Sequence, residues 1–195
     1  MKKLAPLALL ILAPAAYASS YMGMEFGAGS ADVSGLDSSE FKSDLEDRGT
    51  VKLYGGKYIT DSVRTYGYWQ SGASSKSTIK AADEELSLEN TDYQFGMGLD
   101  YVHEFTDNLY GIAGGTLGYQ RSKLEIKDKD AQGTNTYNLR DSGLASDVNL
   151  GLGYRFDSGI ALEGGHKYGL TKQKYAEGIS FKNPSVFYLD VNYKF

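Results

Sequence analysis

The stretch SVFYLDVNYKF, residues 185–195, alternates between two kinds of side chain from one position to the next. The first kind is aromatic or aliphatic and comprises Phe187, Leu189, Val191, Tyr193 and Phe195. The second kind is more polar and comprises Tyr188, Asp190, Asn192 and Lys194. A period of two predicts an extended strand with two unlike faces.

The same alternation recurs at residues 22–28, 93–101 and 148–156, where Gly, Asp, Asn and Gln fill much of the opposite face. These segments reach about nine to eleven residues, the length with which a tilted strand crosses a bilayer. Strands of soluble domains are commonly about five or six residues long. The pattern therefore indicates membrane-spanning strands whose apolar series faces lipid and whose small and polar series faces an interior.

Turn signals divide the chain into eight predicted strands. Short turns fall at 59–63, 105–109 and 156–160, and long polar stretches fall at 31–49, 72–90, 123–142 and 171–184. The strands are predicted near 20–30, 50–60, 63–71, 91–105, 109–122, 143–156, 159–170 and 185–195. An even count lets the first and last strands pair, which leaves no open edge in lipid. We therefore predict a closed, antiparallel, eight-stranded up-and-down transmembrane β-barrel with short periplasmic turns and long extracellular loops.

The N-terminus has the features of a secretory signal peptide. Lys2 and Lys3 precede an apolar segment, and the small residues of Ala16-Tyr17-Ala18 suit a cleavage site. We expect residues 1–18 to be removed and residues 19–195 to form the barrel domain. The segment carries two lysines and no acid, so its removal would take the formal net charge from −5 to −7. Such an acidic product argues against nucleic-acid binding.

Charged residues on the inward face are expected to pair with one another, because an unpaired charge in a narrow barrel is costly. The predicted interior network comprises Asp100, Arg155, Glu163, Lys167 and Asp190. Glu104 and Lys194 share the inward parity but lie near strand ends. The sequence is compatible both with their burial and with their solvation at the rim.

The excess of aromatic residues suits membrane interfaces, where Tyr and Trp rings favour the headgroup zone. The aromatic residues near predicted strand ends are Tyr66, Tyr68, Trp69, Tyr101, Tyr110, Tyr119, Tyr154, Phe156, Tyr168, Tyr193 and Phe195. We expect most of them at the interfaces and some in the interior, because the parity of the strands near 63–71 and 109–122 is ambiguous.

The terminal strand ending in Phe195, with the blocks GMGLDYVHEFTDNLYGIAGGTLGY (96–119) and NLGLGYRFDSGIALEGGHKYG (149–169), resembles the OmpA transmembrane-domain and OmpX-like family of eight-stranded outer-membrane barrels. The resemblance implies a Gram-negative outer-membrane location with lipid and lipopolysaccharide as neighbours. It also implies assembly-machinery contact through the C-terminal strand, and surface loops that bind a partner the sequence does not identify.

The favoured function is structural or surface-interacting: envelope integrity, or loop-mediated adhesion. A small passive channel is the alternative, and a lipid A-modifying enzyme is a weaker third. We expect no catalytic, cofactor-binding or metal site, because His103 and His166 match no ligand or catalytic spacing and no Ser follows His166 as in a lipid A deacylase. The acidic stretches at 31–49 and 80–90 suggest either solvated loops or carboxylates that hold divalent cations against lipopolysaccharide phosphates.

Overall fold

The alternating segments of the chain form antiparallel strands that hydrogen-bond side by side into one continuous wall. A computed structural model describes residues 20–34, 46–72, 75–81, 84–130, 133–174 and 180–195, so the predicted signal peptide lies outside the described residues. The strands are β1 (Ser20–Ser34), β2 (Asp47–Thr60), β3 (Val63–Gly72), β4 (Ser75–Ala81), β5 (Glu84–Glu104), β6 (Leu109–Asp130), β7 (Gly133–Arg155), β8 (Ile160–Gly169), β9 (Gln173–Lys174) and β10 (Ser180–Lys194). No helix in these ranges is long and apolar enough to span a membrane.

The wall closes on itself because its last strand pairs with its first. Its order is β1-β2-β3-β5-β6-β7-β8-β10, and β10 pairs with β1 from Tyr21 opposite Lys194 to Ser34 opposite Ser180. Closure gives every wall strand two neighbours, so the backbone groups need no partner from lipid. The predicted fold class, a closed eight-stranded antiparallel barrel, is confirmed. Strands β4 and β9 pair with β5 and β10 outside the eight-stranded wall.

Short turns join the strands at one end of the barrel, as predicted. They lie at 61–62, 105–108 and 156–159. Gly159 adopts a φ of 85°, a left-handed conformation that glycine takes without steric cost. The backbone N–H of Phe195 donates to the carbonyl of Ser20 at 2.9 Å, so both ends of the described barrel lie on this side. In outer-membrane barrels the short turns face the periplasm.

At the opposite end the strands are longer than the sequence predicted. All 22 residues of β6 pair with β7, from Leu109 opposite Tyr154 to Asp130 opposite Gly133. The predicted loops at 72–90 and 123–142 are therefore largely hairpin, which corrects that part of the interpretation. The prediction failed there because the charged and polar residues of these segments were taken as the mark of loops. A short alternation does run through them, with Leu86 and Leu88 in β5 and Leu124 and Ile126 in β6 between charged or polar neighbours.

The two faces of β10 show how the wall is oriented. Phe187 and Leu189 are 71% and 72% exposed on the outside, whereas Asp190 is 3% exposed on the inside. A soluble protein would bury Phe187 and Leu189 and expose Asp190. The reversed arrangement is that of a protein whose outer solvent is hydrocarbon.

Tyrosine rings and glycines together fill the interior. A Cβ atom at Gly98 would overlap the Tyr66 ring, and one at Gly153 would overlap the Tyr110 ring. Tyr54, Tyr68 and Tyr188 likewise lie against inward glycines, which are Gly23, Gly118, Gly151 and Gly165. The large Tyr and Gly content of the chain thus serves the packing of a narrow lumen. Tyr66, Tyr68 and Tyr110 are buried there, so the aromatic residues that lie in the interior include members of the two strands whose parity was ambiguous.

Candidate functional site

An arginine on β3 is the centre of the lumen. Arg64 is 3% exposed, and its two terminal nitrogens donate to the two carboxylate oxygens of Glu163 at 2.6 and 2.8 Å. Its Nε also donates to Asp100 at 3.0 Å. This two-pronged geometry matches the planar guanidinium fork to a carboxylate, and it links β3, β5 and β8 across the barrel.

Neutral donors complete the coordination of the carboxylates. The hydroxyl of Tyr110 and the amide of Asn192 donate to Glu163 at 2.8 and 2.9 Å. Asp190 accepts from the Tyr54 hydroxyl at 2.7 Å and from Asn192 at 3.0 Å. Such partners offset part of the cost of removing three carboxylates from water beside a single arginine.

A second ionic cluster lies closer to the extracellular end. Glu25 on β1 accepts from Lys52 at 2.9 Å and also from Lys167. The Lys52 ammonium lies over the rings of Tyr54, Tyr66 and Tyr68, 5.3–5.7 Å from their centroids. This carboxylate and the ring faces together stabilise two buried ammonium groups.

Four of the five residues of the predicted interior network lie in the two buried clusters, and the fifth lies at the periplasmic end. Asp100, Glu163, Lys167 and Asp190 are buried in the two clusters. Arg155 is not with them, because its guanidinium donates to Glu104 at 3.1 Å and to Tyr58 at 3.3 Å at the periplasmic end. Arg155 does not contact Glu163, since Glu163 lies opposite Gly153 in the β7–β8 register and Arg155 lies opposite Ala161.

The outermost charged residues, Glu104 and Lys194, lie at the periplasmic rim of the barrel. Glu104 is exposed and pairs with Arg155, and the Lys194 ammonium lies 4.6 Å from the centroid of the Tyr58 ring. Both residues are therefore at the rim rather than in the buried clusters.

Sequence reasoning missed Arg64, Lys52 and Glu25. Glu25 shares the parity of Tyr21 and Gly23 in a strand with clear alternation, so its inward direction was readable. Lys52 lies opposite it once the β1–β2 register is fixed. For β3 no such signal exists, because its outward residues include Thr65, Gly67 and Ser71, which carry almost no apolar character.

These side chains leave little open space at the level of the clusters. The void between them is about 10 Å³, too small for more than about one water molecule. Nearer the extracellular mouth the lumen widens to a vestibule of about 70 Å³. Its polar lining includes Arg48, Asp92, Gln94, Gln120, Asp147 and Thr171.

Aromatic rings mark both edges of the apolar outer wall. At the periplasmic edge Tyr101 stacks on His103, and Phe105 packs edge-to-face with the same imidazole. Tyr154 packs against Phe156 there. Near the extracellular edge, Trp69 stacks on Tyr93, and Phe95 packs against Tyr119. Rings at these two levels correspond to the aromatic girdles of barrel proteins at the two membrane interfaces.

His166 also faces outward, and one of its neighbours was not visible in the sequence. Its Nε2 lies 2.8 Å from the hydroxyl oxygen of Ser185 on β10, and its ring packs edge-on against Phe187. An apolar groove of about 910 Å³ runs along the wall beside it, between Phe26, Leu150 and Leu189. Within the described ranges no carboxylate contacts this imidazole, and no three His, Cys, Asp or Glu side chains are grouped to hold a metal ion.

Comparison with known proteins agrees with this geometry. Residues 4–195 match the family model described as "Outer membrane protein beta-barrel domain". Neisserial surface protein A is 16% identical with a TM-score of 0.59, covering 90% of this chain and 97% of that one. Ail, the attachment invasion locus protein of Yersinia pestis, solved with the heparin analogue sucrose octasulfate, is 12% identical with a TM-score of 0.57, covering 92% and 100%.

A third similar structure is a major outer membrane protein of Thermus thermophilus. It is 10% identical with a TM-score of 0.51, and the match covers 91% of this chain and all of that one. No curated protein sequence matches the chain significantly. At these identities the likeness concerns the fold alone.

Proposed function

This chain belongs to the outer membrane protein β-barrel domain family and lies in the outer membrane, and we propose that it is a non-conducting, non-catalytic anchor for surface contacts. In this role the barrel contributes to envelope integrity, and its extracellular hairpins contact molecules outside the cell. The observation that carries the proposal is the filled lumen. The Arg64–Glu163 contact and the tyrosine rings leave a void of only about 10 Å³ between the buried clusters.

The length of the extracellular hairpins supports a surface role. Strand β6 continues for 11 residues beyond Tyr119, from the aromatic girdle to Asp130. At about 3.3 Å per residue this extension is on the order of 35 Å along the strand. A barrel of similar fold, Ail, bears attachment and invasion in its name. Adhesion through the hairpins is the corresponding proposal for this chain.

Shortening one hairpin tests the surface role. We propose to replace residues 124–139 by Asn-Gly, which joins Lys123 to Arg140 through a tight turn and keeps the membrane part of β6 and β7. Cells that express the wild-type chain should adhere to epithelial monolayers more than cells with empty vector, and the shortened variant should adhere as the vector does. Asp157→Ala in a periplasmic turn is the control and should adhere as wild type. Equal adhesion of the shortened variant and the wild type would contradict the proposal.

The channel alternative is tested in planar lipid bilayers. We expect no steady conductance from the wild-type chain, because its lumen lacks a continuous water path at the level of Arg64. The double variant Arg64→Ala/Glu163→Ala should conduct if it folds, since the central obstruction is removed. A steady wild-type conductance that changes on Glu163→Ala would instead establish a pore.

The contact between His166 and Ser185 is the one observation that favours a second candidate, a lipid hydrolase. A nucleophile hydrogen-bonded to a base beside an apolar groove is the arrangement that acyl transfer requires, although a third group to orient the base is also usual. Mass spectrometry of lipid A and phospholipids from cells with wild type, Ser185→Ala or no protein distinguishes the two. A non-catalytic barrel gives three identical spectra, whereas acyl loss only with the wild-type chain would establish the hydrolase.

A further inference from the structure

The outer face of β5, β6 and β7 changes character in steps toward the extracellular side. The backbone register places outward residues of the three strands in rows across the wall. From the membrane outward, the rows are Phe95–Tyr119–Leu144, then Tyr93–Arg121–Ser142, then Thr91–Lys123–Arg140. An apolar and aromatic row is thus followed by two rows that contain three cations, which we call the basic patch (Arg121, Lys123 and Arg140).

The basic patch borders an open groove in the outer wall. Its three side chains line about 610 Å³ of space together with Thr91, Tyr93, Ser122, Asp141 and Ser142. Arg121 and Arg140 are exposed, and the Arg121 guanidinium carbon lies 5.9 Å from the centroid of the Tyr119 ring. The attraction between the ring and the cation keeps this guanidinium close to the wall.

Carboxylates lie beside and beyond the basic patch. Glu125 accepts from the Lys123 ammonium at 2.5 Å, and Asp141 accepts from the backbone N–H of Ser142 at 2.8 Å. The register of β5 and β6 places Glu89 opposite Glu125 in the next row outward. The cations are therefore concentrated in the two rows that follow the aromatic girdle, and the outward acidic residues of β5 and β6 begin one row further from the membrane.

The depth of the basic patch identifies what it meets in the outer membrane. Tyr119 belongs to the extracellular aromatic girdle, so Arg121 and Lys123 lie about 7 and 13 Å further along the strand. Below them, Leu117 and Leu144 are 61% and 70% exposed toward the acyl chains. The phosphorylated headgroup of the outer-leaflet glycolipid occupies the level immediately above the acyl chains.

We propose that the basic patch binds the phosphate groups of lipid A. Arg121 and Arg140 would each donate paired N–H groups to phosphate oxygens, and Lys123 would supply a point charge between them. Acyl chains of the same molecule would cover Leu117 and Leu144, which ties the site to a lipid rather than to a free phosphate ion. This site rests on the outer-membrane location alone, so its failure would leave the proposed non-conducting anchor untouched.

The test compares phosphorylated and dephosphorylated lipid A on the complete barrel. Wild-type protein in detergent is titrated with phosphatidylcholine vesicles that contain bisphosphorylated lipid A, lipid A without phosphates, or no lipid A. We expect affinity for the first vesicles to fall roughly tenfold in Arg121→Gln/Arg140→Gln, because two charge-assisted contacts are lost. The charge-preserving variant Arg121→Lys/Arg140→Lys should retain most of it. Lys57→Gln, an exposed cation at the periplasmic end of the same wall, should bind as wild type.

Three outcomes of these titrations would overturn the lipid A site. Equal wild-type affinity for phosphorylated and dephosphorylated lipid A would overturn the site, as would the same loss in Lys57→Gln as in the double variant. Displacement of lipid A vesicles by inorganic phosphate at the concentration of the bound lipid would show a site for the free ion and would also overturn it. Heat-modifiable gel mobility of each variant verifies that the barrel is folded.

Discussion

The two faces of β10 belong to one strand, yet apolar residues are exposed on one face and polar residues are buried on the other. Outside, Leu189 and Val191 are exposed because the surrounding medium is hydrocarbon. Inside, Asp190 and Asn192 are 3% and 6% exposed. Asp190 accepts a hydrogen bond from the Tyr54 hydroxyl, and the Asn192 amide donates one to Glu163. The outer face needs only apolar character at each position. The inner face needs specific partners, because buried polar groups have no solvent to satisfy them.

This difference predicts how tolerant each face is to substitution. Changes within the lumen should be costly whenever they leave a charge or a ring without its partner. Changes on the wall should be costly only when they place a charge at the depth of the acyl chains. Free energies of unfolding in urea separate these cases, and Trp69, the only tryptophan, supplies a fluorescence signal.

The largest expected effect is at the centre of the lumen. Glu163→Ala removes the acceptor of two Arg64 contacts and leaves a buried guanidinium with too few partners. We expect the free energy of unfolding to fall by about 3–5 kcal/mol, the range for breaking a buried ion pair from one side. A loss below about 1 kcal/mol would mean that water reaches Arg64, and the contrast between the two faces would disappear.

The next effect comes from a charge on the lipid face. Leu189→Arg, at the middle of β10, should lower the free energy of unfolding in bilayers by about 2–4 kcal/mol. Leu144→Arg, beside the extracellular aromatic girdle, should cost about 0–1 kcal/mol because the arginine reaches the interface. If the two substitutions cost the same amount, depth in the membrane does not govern this face.

A smaller effect is expected where glycine admits a tyrosine ring. Gly98→Ala places a methyl group against the Tyr66 ring, and overpacking of this kind costs about 1–3 kcal/mol. Gly67→Ala is the matched control, because its Cβ would point outward with its nearest neighbour 3.9 Å away. The control should change the unfolding midpoint little. Equal midpoints for both variants would show that the lumen is looser than the tyrosine packing implies.

The smallest effect is expected at the periplasmic rim. Glu104→Ala breaks the contact with Arg155, but the Glu104 side chain is 54% exposed and water replaces its partner. We expect a change below about 1 kcal/mol, further reduced by salt. A loss as large as that of Glu163→Ala would place Glu104 among the buried clusters instead.

The sequence predicted the lipid-facing wall of the barrel better than the side-chain contacts inside the lumen, for a physical reason. A lipid-facing series is a one-dimensional pattern, and residues such as Phe187 and Leu189 reveal it without knowledge of their neighbours. Lumen contacts depend on which strands face each other, and Glu163 meets Arg64 although 99 positions separate them. Arg155 is separated from Glu163 by only one turn, yet it contacts Glu104 at the periplasmic rim instead.

The aromatic residues illustrate the same limit. Tyr101 and Tyr66 both lie in segments of alternating character, yet the first is in the outer girdle and the second is in the lumen. What distinguishes them is the neighbouring strand, where Gly98 leaves room for the Tyr66 ring. An inward glycine opposite a tyrosine therefore indicates a buried ring, but this pairing can be recognised only once the strand register is known.

The most direct test of the barrel's orientation uses the unmodified chain. Solid-state NMR in bilayers can measure how quickly magnetisation passes from lipid acyl chains to individual side chains of β10. We expect rapid transfer to Phe187, Leu189 and Val191 and slow transfer to Tyr188, Asp190 and Asn192, with a period of two along the strand. Uniform transfer along β10, or faster transfer to the second set, would contradict a wall whose apolar residues face lipid and whose charges fill the interior.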